Sequence, residues 1–325
     1  MFVPLYHLFN MSTSPSGVLL MGGGNGTEPV YPKGLHGTPS PQTTLDQWTA
    51  NDILEEIDKE IRTRDSETHM AHREEAKTAI DADIDGNVRL EYGGSVSKDT
   101  YVEGSSDVDC RVDVSGTSLE KKTPQDINKY FAKQIEANNP QVKSCSIGKL
   151  GVTVKYKDGT EMQYIPMLRT RNGYRLPNPK LPGRWSKVIY EERFKRDLRR
   201  TNKKCNGKLY AVIRLIKAQR ESGSAISGYH IESLANRIFK HYPDSRPKTL
   251  PSMLEYYYKH ASNHIRHRIR DRTGQSSFVD KEKLGPAQSS VRDRESRKME
   301  KNRKILAQTE RTGNTQKLAD TFRRR

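Results

Sequence analysis

The sequence predicts an α/β (α+β) protein: a mixed sheet with its own helices, followed by a lobe built of helices alone. Three observations predict it. Residues 88–92, 108–114 and 152–156 alternate apolar and polar side chains, the period of a half-buried strand. One helix-periodic stretch, 124–138, interrupts them. Beyond residue 186 apolar residues recur only at helical spacing, so the later part has no strand to add to the sheet.

Taken in order, residues 1–43 read as a disordered tail, rich in Gly, Pro, Ser and Thr and poor in anything to bury. Its opening MFVPLYHLF has no basic residues before it, which argues against a secretory signal, and Met11 or Met21 would serve equally as a start. Thr44-Leu45-Asp46-Gln47 has the form of a capping box, and Trp48, Ile53, Ile57 and Ile61 then repeat through a helix expected to reach about residue 81. The strand at 88–92 (VRLEY) follows, then 108–114 (VDCRVDV). Pro124 opens a helix with Ile127, Phe131 and Ile135 on one face. Asp158-Gly159, with Val152 to Tyr156 before it and Met162 to Ile165 after it, is the strongest hairpin signal in the chain. A Pro/Gly-rich connector, 175–185, closes a core spanning 44–185. The helical lobe covers 186–310, with helices marked by Leu209, Val212, Ile213 and Ile216, by Ile231, Leu234 and Ile238, and by Met253, Leu254 and Tyr257. The end of the chain is basic: 291–325 holds twelve Lys or Arg against five Asp or Glu, and 311–325 reads as a frayed tail.

Composition bounds the function. The 325 residues carry 57 Lys plus Arg against 40 Asp plus Glu, a net +17, so a polyanionic partner is favoured: nucleic acid, a nucleoside triphosphate or an anionic surface. No apolar run approaches the roughly 18 residues of a membrane span. Three widely spaced cysteines without a CxxC pair exclude a disulfide scaffold and a zinc finger, and point to a reducing, cytoplasmic setting.

The chemistry concentrates in residues 94–109. Asp107 and Asp109, one residue apart on a strand, share a face and can converge on one cation. Mg²⁺ takes hard oxygen ligands and is commonly held by one or two carboxylates together with substrate phosphates. Upstream, Gly94-Ser95 on a turn can offer backbone N–H groups and a hydroxyl to phosphate oxygens. Downstream, Arg214 and Lys217 stand at i and i+3 of an otherwise apolar helix, so they share a face. His260, His264 and His267 have a metal-capable spacing, but Arg266, Arg268 and Arg270 crowd them, and a basic surface is the better reading.

The segment GGSVSKDTYVEGSSDVDCRV resembles the signature of the DNA polymerase β-type nucleotidyltransferases, in the form GS-x4-T-x5-SD-x-D found in 2′-5′ oligoadenylate synthetases and in bacterial cGAS/DncV-like enzymes (CD-NTases). The pair KLYAVIRLIK (208–217) and SGYHIESL (227–234) is similar to the helix pair that faces the triphosphate in those families. The resemblance covers about 44–306 and implies a polymerase β-like core with a mixed sheet and a C-terminal helical lobe. It further implies that Gly94, Ser95, Thr100 and Ser106 hold nucleotide, that Asp107 and Asp109 bind Mg²⁺, with Mn²⁺ an alternative, and that Arg214 and Lys217 neutralise phosphate.

One position departs. Where the family has a third carboxylate, this chain reads Gln163-Tyr164-Ile165-Pro166, and an amide cannot take the proton of an attacking hydroxyl. Glu161, two residues back on the same strand face, is the candidate substitute. The expected function is template-independent joining of NTPs, ATP among them, into a cyclic or short oligonucleotide messenger in anti-phage defence, with a nucleic acid or protein as possible activator. The alternatives are transfer to an RNA 3′ end, as in CCA-adding enzymes or poly(A) polymerases, and a catalytically weakened nucleotide binder.

Overall fold

The first described helix, α1 (Ala50–Arg62), is capped by Thr49: its hydroxyl accepts from the Asp52 N–H, and its own N–H donates to the Asp52 carboxylate at 2.9 Å. The computed structural model describes residues 49–62, 66–103, 108–220 and 223–323, which all belong to one unit, Pro41–Arg325. The tail, the Thr44 capping box, Ser106 and Asp107 therefore lie outside the described residues.

The helix expected across 44–81 is described as two, α1 and α2 (Ser66–Asp81), and they serve different cores. Ile53, Leu54, Ile57 and Ile61 of α1 are buried among the helices of the later lobe. Ala76, Ala79 and Ile80 of α2 are buried against the sheet. The N-terminal helical region is thus shared between core and lobe rather than belonging to the core alone.

The sheet runs β1 (Arg89–Tyr92), β2 (Val108–Asp113), β5 (Glu161–Thr170), β4 (Val152–Tyr156), β3 (Val142–Ile147), and β6 (Gly173–Arg175) pairs with the far end of β5. Only the β2–β5 pair is parallel; the others are antiparallel, so the sheet is mixed. Alternation on β2 sends Val108, Cys110 and Val112 into the core under α2 and α3 (Pro124–Asn138), and leaves Asp109, Arg111 and Asp113 on the opposite face. The α3 boundaries are those predicted, fixed by Thr123, whose side chain accepts from the Asp126 N–H, and by Pro124 in the first turn. The β4–β5 hairpin turns at Asp158-Gly159, with Gly159 at φ +92°. His72 of α2 clasps this hairpin: it stacks on Tyr156 with ring centroids 3.6 Å apart, and its Nε2 lies 2.8 Å from Asp158.

The helical lobe comprises α4 (Glu191–Lys204), α5 (Leu209–Ala218), α6 (Gly228–Phe239), α7 (Leu250–His264), the one-turn α8 (Lys281–Leu284), α9 (Ser290–Thr312) and α10 (Thr315–Arg323). As far as Arg323, the stretch expected as a frayed tail is helical. Leu318, Ala319 and Phe322 of α10 are buried against α1, and Arg323 pairs with Glu60 at 2.7 Å. Three apolar side chains at i, i+1 and i+4 give one face enough to bury, which the many charges around them had masked. The histidine series is interrupted, since α7 ends at His264 and His267 lies beyond it. No helix of the described residues is long and apolar enough to cross a membrane.

Candidate functional site

The turn after β1 is built around Asp109. The Gly93 N–H donates to the Asp109 carbonyl at 2.9 Å, and Gly94 sits at φ +52°, a left-handed conformation that favours glycine. A Cβ at Gly94 would come within 2.1 Å of Asp109 Oδ2. The carboxylate therefore lies directly against the backbone of the Gly94-Ser95 turn, an arrangement only glycine permits. A short 3₁₀ turn, Val96–Lys98, follows; the Ser95 carbonyl accepts from the Lys98 and Thr100 N–H groups at 3.2 and 3.1 Å, while the Ser95 hydroxyl makes no cap hydrogen bond.

Parallel pairing of β2 with β5 sets Asp109 in register with Gln163. Both are half-buried, and both line a cleft of about 240 Å³ between the sheet and the helical lobe. The sheet side contributes Gly93, Gly94, Asp109 and Gln163, and the lobe contributes Tyr229, Thr273 and Gln275. Asp109 and Gln163 offer hard oxygen atoms beside a backbone turn, and the space denied to a Cβ at Gly94 brings the Asp109 carboxylate up to that turn; among the described residues no group of three or more His, Cys, Asp or Glu side chains is placed to hold a metal ion. Glu161 does not line the cleft. It is exposed at the start of β5 and pairs with Lys155 of β4 at 3.3 Å.

Next to the cleft lies a buried cluster of charges. Lys98, three residues beyond Ser95, donates to the Gly94 carbonyl and pairs with Glu191 at 3.2 Å and Glu232 at 3.5 Å. Glu191, the first residue of α4, also takes Arg111 and the Tyr174 hydroxyl. Glu232 of α6 accepts from Lys217 at 2.7 Å and from the Thr100 hydroxyl. Burial alone would raise both glutamates. Lys98 with Arg111 at Glu191, and Lys217 with Lys98 at Glu232, outweigh it and hold both carboxyls below their usual range. At Lys217 the balance tips the other way, and burial lowers its ammonium below the ordinary lysine value despite Glu232.

Arg214 and Lys217 are placed otherwise than the sequence suggested. They do share a face of α5, but that face meets protein: Arg214 grips Asp58 of α1 through two 2.8 Å hydrogen bonds and donates to the Asp99 carbonyl, while Lys217 donates to the Thr100 carbonyl at 2.9 Å. Both are buried, and neither lines the cleft. Thr100, read as a nucleotide contact, is fully buried within the same cluster. The charges that line the cleft are Lys98, Asp109, Arg111 and Glu191, two of each sign. Three of these were missed. Arg111 carried a usable signal, standing two residues after Asp109 on an alternating strand; Lys98 and Glu191 carried none, because their meeting depends on α4 packing beside the turn. Cys110, on the core face of β2, is no nucleophile, since burial pushes its thiol up to about 12.

The fold is matched by solved structures. The CdnC:HORMA-deltaN complex of E. coli MS115-1 superposes with a TM-score of 0.63 at 13% identity, over 84% of this chain and 96% of that one. The Bradyrhizobium diazoefficiens CD-NTase CdnG in complex with GTP gives 0.60 at 13%, over 84% and 97%. The chain has the CD-NTase fold. The Vibrio cholerae DncV cyclic AMP-GMP synthase, solved with the linear intermediate 5′ pppA(3′,5′)pG, matches this fold at 0.58 and 12%, over 86% and 87%. No family model and no curated protein matches the sequence. The CD-NTase fold accounts for both cores and the cleft between them, so the sequence reading of a mixed sheet with a C-terminal helical lobe is borne out.

Proposed function

We propose that the chain is a metal-dependent nucleotidyltransferase that joins nucleoside triphosphates without a template. The observation that carries this reading is the Asp109 carboxylate held against the Gly94 backbone, in register with Gln163, in the cleft of a CD-NTase fold. CdnC was solved with ATP and CdnG with GTP, which supports NTPs as the substrate class.

In this reading the N–H groups and hydroxyl of the Gly94-Ser95 turn bind the triphosphate, with Ser106 as a further contact from the sequence motif. Asp109, with Asp107 from the motif, would hold Mg²⁺ or Mn²⁺, which when bound supplies charge neutralisation at the phosphates and polarisation of the α-phosphate. A ribose hydroxyl of a second nucleotide attacks the α-phosphorus, the new P–O bond forms as the bond to the β-phosphate oxygen breaks, and pyrophosphate leaves. The hydroxyl proton needs an acceptor. The Gln163 amide is not one, and Glu191 is engaged by Arg111, Lys98 and Tyr174. Among the described residues the site is therefore equipped for binding and alignment and short of a base, and slow turnover with water as the proton acceptor follows. The product by this reading is a cyclic or short oligonucleotide messenger, with phage defence as its setting.

Incubating the pure protein with Mg²⁺ or Mn²⁺ and the four labelled NTPs, with and without RNA, tests it. A phosphatase-resistant product that is lost in Asp109→Asn supports the reading. Extension of the RNA 3′ end alone would replace it with RNA tailing, and absence of any product in every condition would overturn transfer.

A further inference from the structure

A second cavity, of about 600 Å³, lies wholly within the helical lobe between α5, α6, α7, α9 and α10, and shares no lining residue with the cleft. Its size is that of a small-molecule site. Its chemistry is one-sided. Among the described residues Arg220, Lys298 and Lys301 line it against one acid, Glu295, which pairs with Lys298 at 3.5 Å, leaving an excess of two positive charges. The remaining polar groups add donors: the Gln219 carbonyl oxygen already accepts from the Asn302 amide at 3.1 Å and from the Tyr258 hydroxyl, so the free end of the Gln219 amide is its NH₂. Apart from Ser224, whose hydroxyl donates to Glu295 at 3.4 Å, and Thr321, the rest of the lining is apolar or aromatic, including Ile216, Ile231, Ile305 and Tyr257. Tyr257 is fully buried, and its hydroxyl has no hydrogen-bond partner among the described residues. A cavity with apolar walls and an excess of cationic donors favours a ligand with an apolar or aromatic body and a negative group.

We propose that this cavity is a binding site for a small organic anion, separate from the nucleotide cleft. Its position ties it to the cleft's support: Ile216 and Ile231 line the cavity, and the next residues in the chain, Lys217 and Glu232, form the buried pair beside the nucleotide turn. The proposal does not rest on the transferase reading, because its test reads binding rather than turnover.

The probe is 8-anilinonaphthalene-1-sulfonate, an aromatic body with one sulfonate, titrated by fluorescence against the full-length protein with and without saturating MgATP. Expected is one saturable site that MgATP does not displace and that Asp109→Asn leaves intact. Affinity should fall at least about tenfold in Lys298→Glu/Lys301→Glu, where reversal removes the attraction. Ile305→Trp, which fills the cavity, should abolish the signal, with circular dichroism confirming that it folds. The uncharged N-phenyl-1-naphthylamine, having the same rings without the sulfonate, should bind at least about tenfold more weakly. The proposal is overturned if no saturable binding is seen, if both variants bind as the wild type does, or if MgATP competes for the site. Equal binding of the uncharged probe would overturn the choice of an anion.

Discussion

The two ends of the 94–100 segment are held by opposite means. At Gly94 the hold is steric: a left-handed backbone leaves room for the Asp109 carboxylate and for nothing else. Lys98 and Thr100 are held by charge, through Glu191, Glu232 and Lys217, in a cluster removed from water. The first end is open to a ligand and contributes little to stability. The second is buried, reaching the cleft only through Lys98 and Glu191, and fixes the turn to α4, α5 and α6. Function and stability should therefore separate along seven residues of chain, and mutations can be chosen to split them.

The largest effect on stability is expected at Glu232. Glu232→Ala leaves Lys98 and Lys217 buried without one of their counter-charges, and loss of a partner from a buried pair costs about 3–5 kcal/mol. Urea unfolding should show it, and a cost below about 1 kcal/mol would mean the cluster is solvated as surface pairs are. At the other end, Asp109→Asn should lower turnover by about 10²–10³, the range for loss of one electrostatic element of a site, while leaving the urea midpoint nearly unchanged. Gly94→Ala should fall between the two. Its Cβ both strains the backbone, by about 1–2 kcal/mol, and displaces the Asp109 carboxylate, so stability falls modestly and nucleotide binding measured by calorimetry is lost.

Acid should act on the buried end first. Glu191 and Glu232 have carboxyls lower in the folded state than in the unfolded chain. Their contribution is complete above the unfolded glutamate value of about 4.3 and is lost as pH falls below it toward the folded values. Urea midpoints should drop steeply from about pH 4 downward, and less steeply in Glu232→Gln. The smallest effect belongs to a pair outside both regions: Glu60→Gln, which breaks the exposed tie to Arg323, should cost under about 1 kcal/mol.

What the sequence disclosed follows the same division. Asp109 and the Gly94 turn were legible because strand alternation and turn chemistry are local, and so were α3 and the Asp158-Gly159 hairpin, whereas Gln163 stood out only through the family resemblance. The charge cluster was not. Arg214 meets Asp58 across 156 positions and Lys98 meets Glu191 across 93, and no local pattern announces such a pairing. An Arg and a Lys on an apolar helix read as ligands for an anion; here the anions are the chain's own carboxylates. The short β6 and α8 were missed, and so, for want of apolar periodicity, were two longer elements: β3 is an edge strand of polar and half-buried residues, and α4 anchors fourteen mostly charged residues on little more than Phe194 and Leu198. The split of the N-terminal helical region was hidden because α1 and α2 bury their faces in different cores.

The account turns on the cleft being a transfer site whose described residues give alignment but no base. Labelled-NTP turnover of the wild type, Asp109→Asn and Gln163→Asp, measured side by side with Mg²⁺ and with Mn²⁺, tests that most directly. The account predicts slow product formation by the wild type, about 10²–10³ less by Asp109→Asn, and a gain in Gln163→Asp of up to roughly the 10²–10⁴ that a positioned base contributes. Equal product from the wild type and Asp109→Asn, or no product from Gln163→Asp, would contradict it.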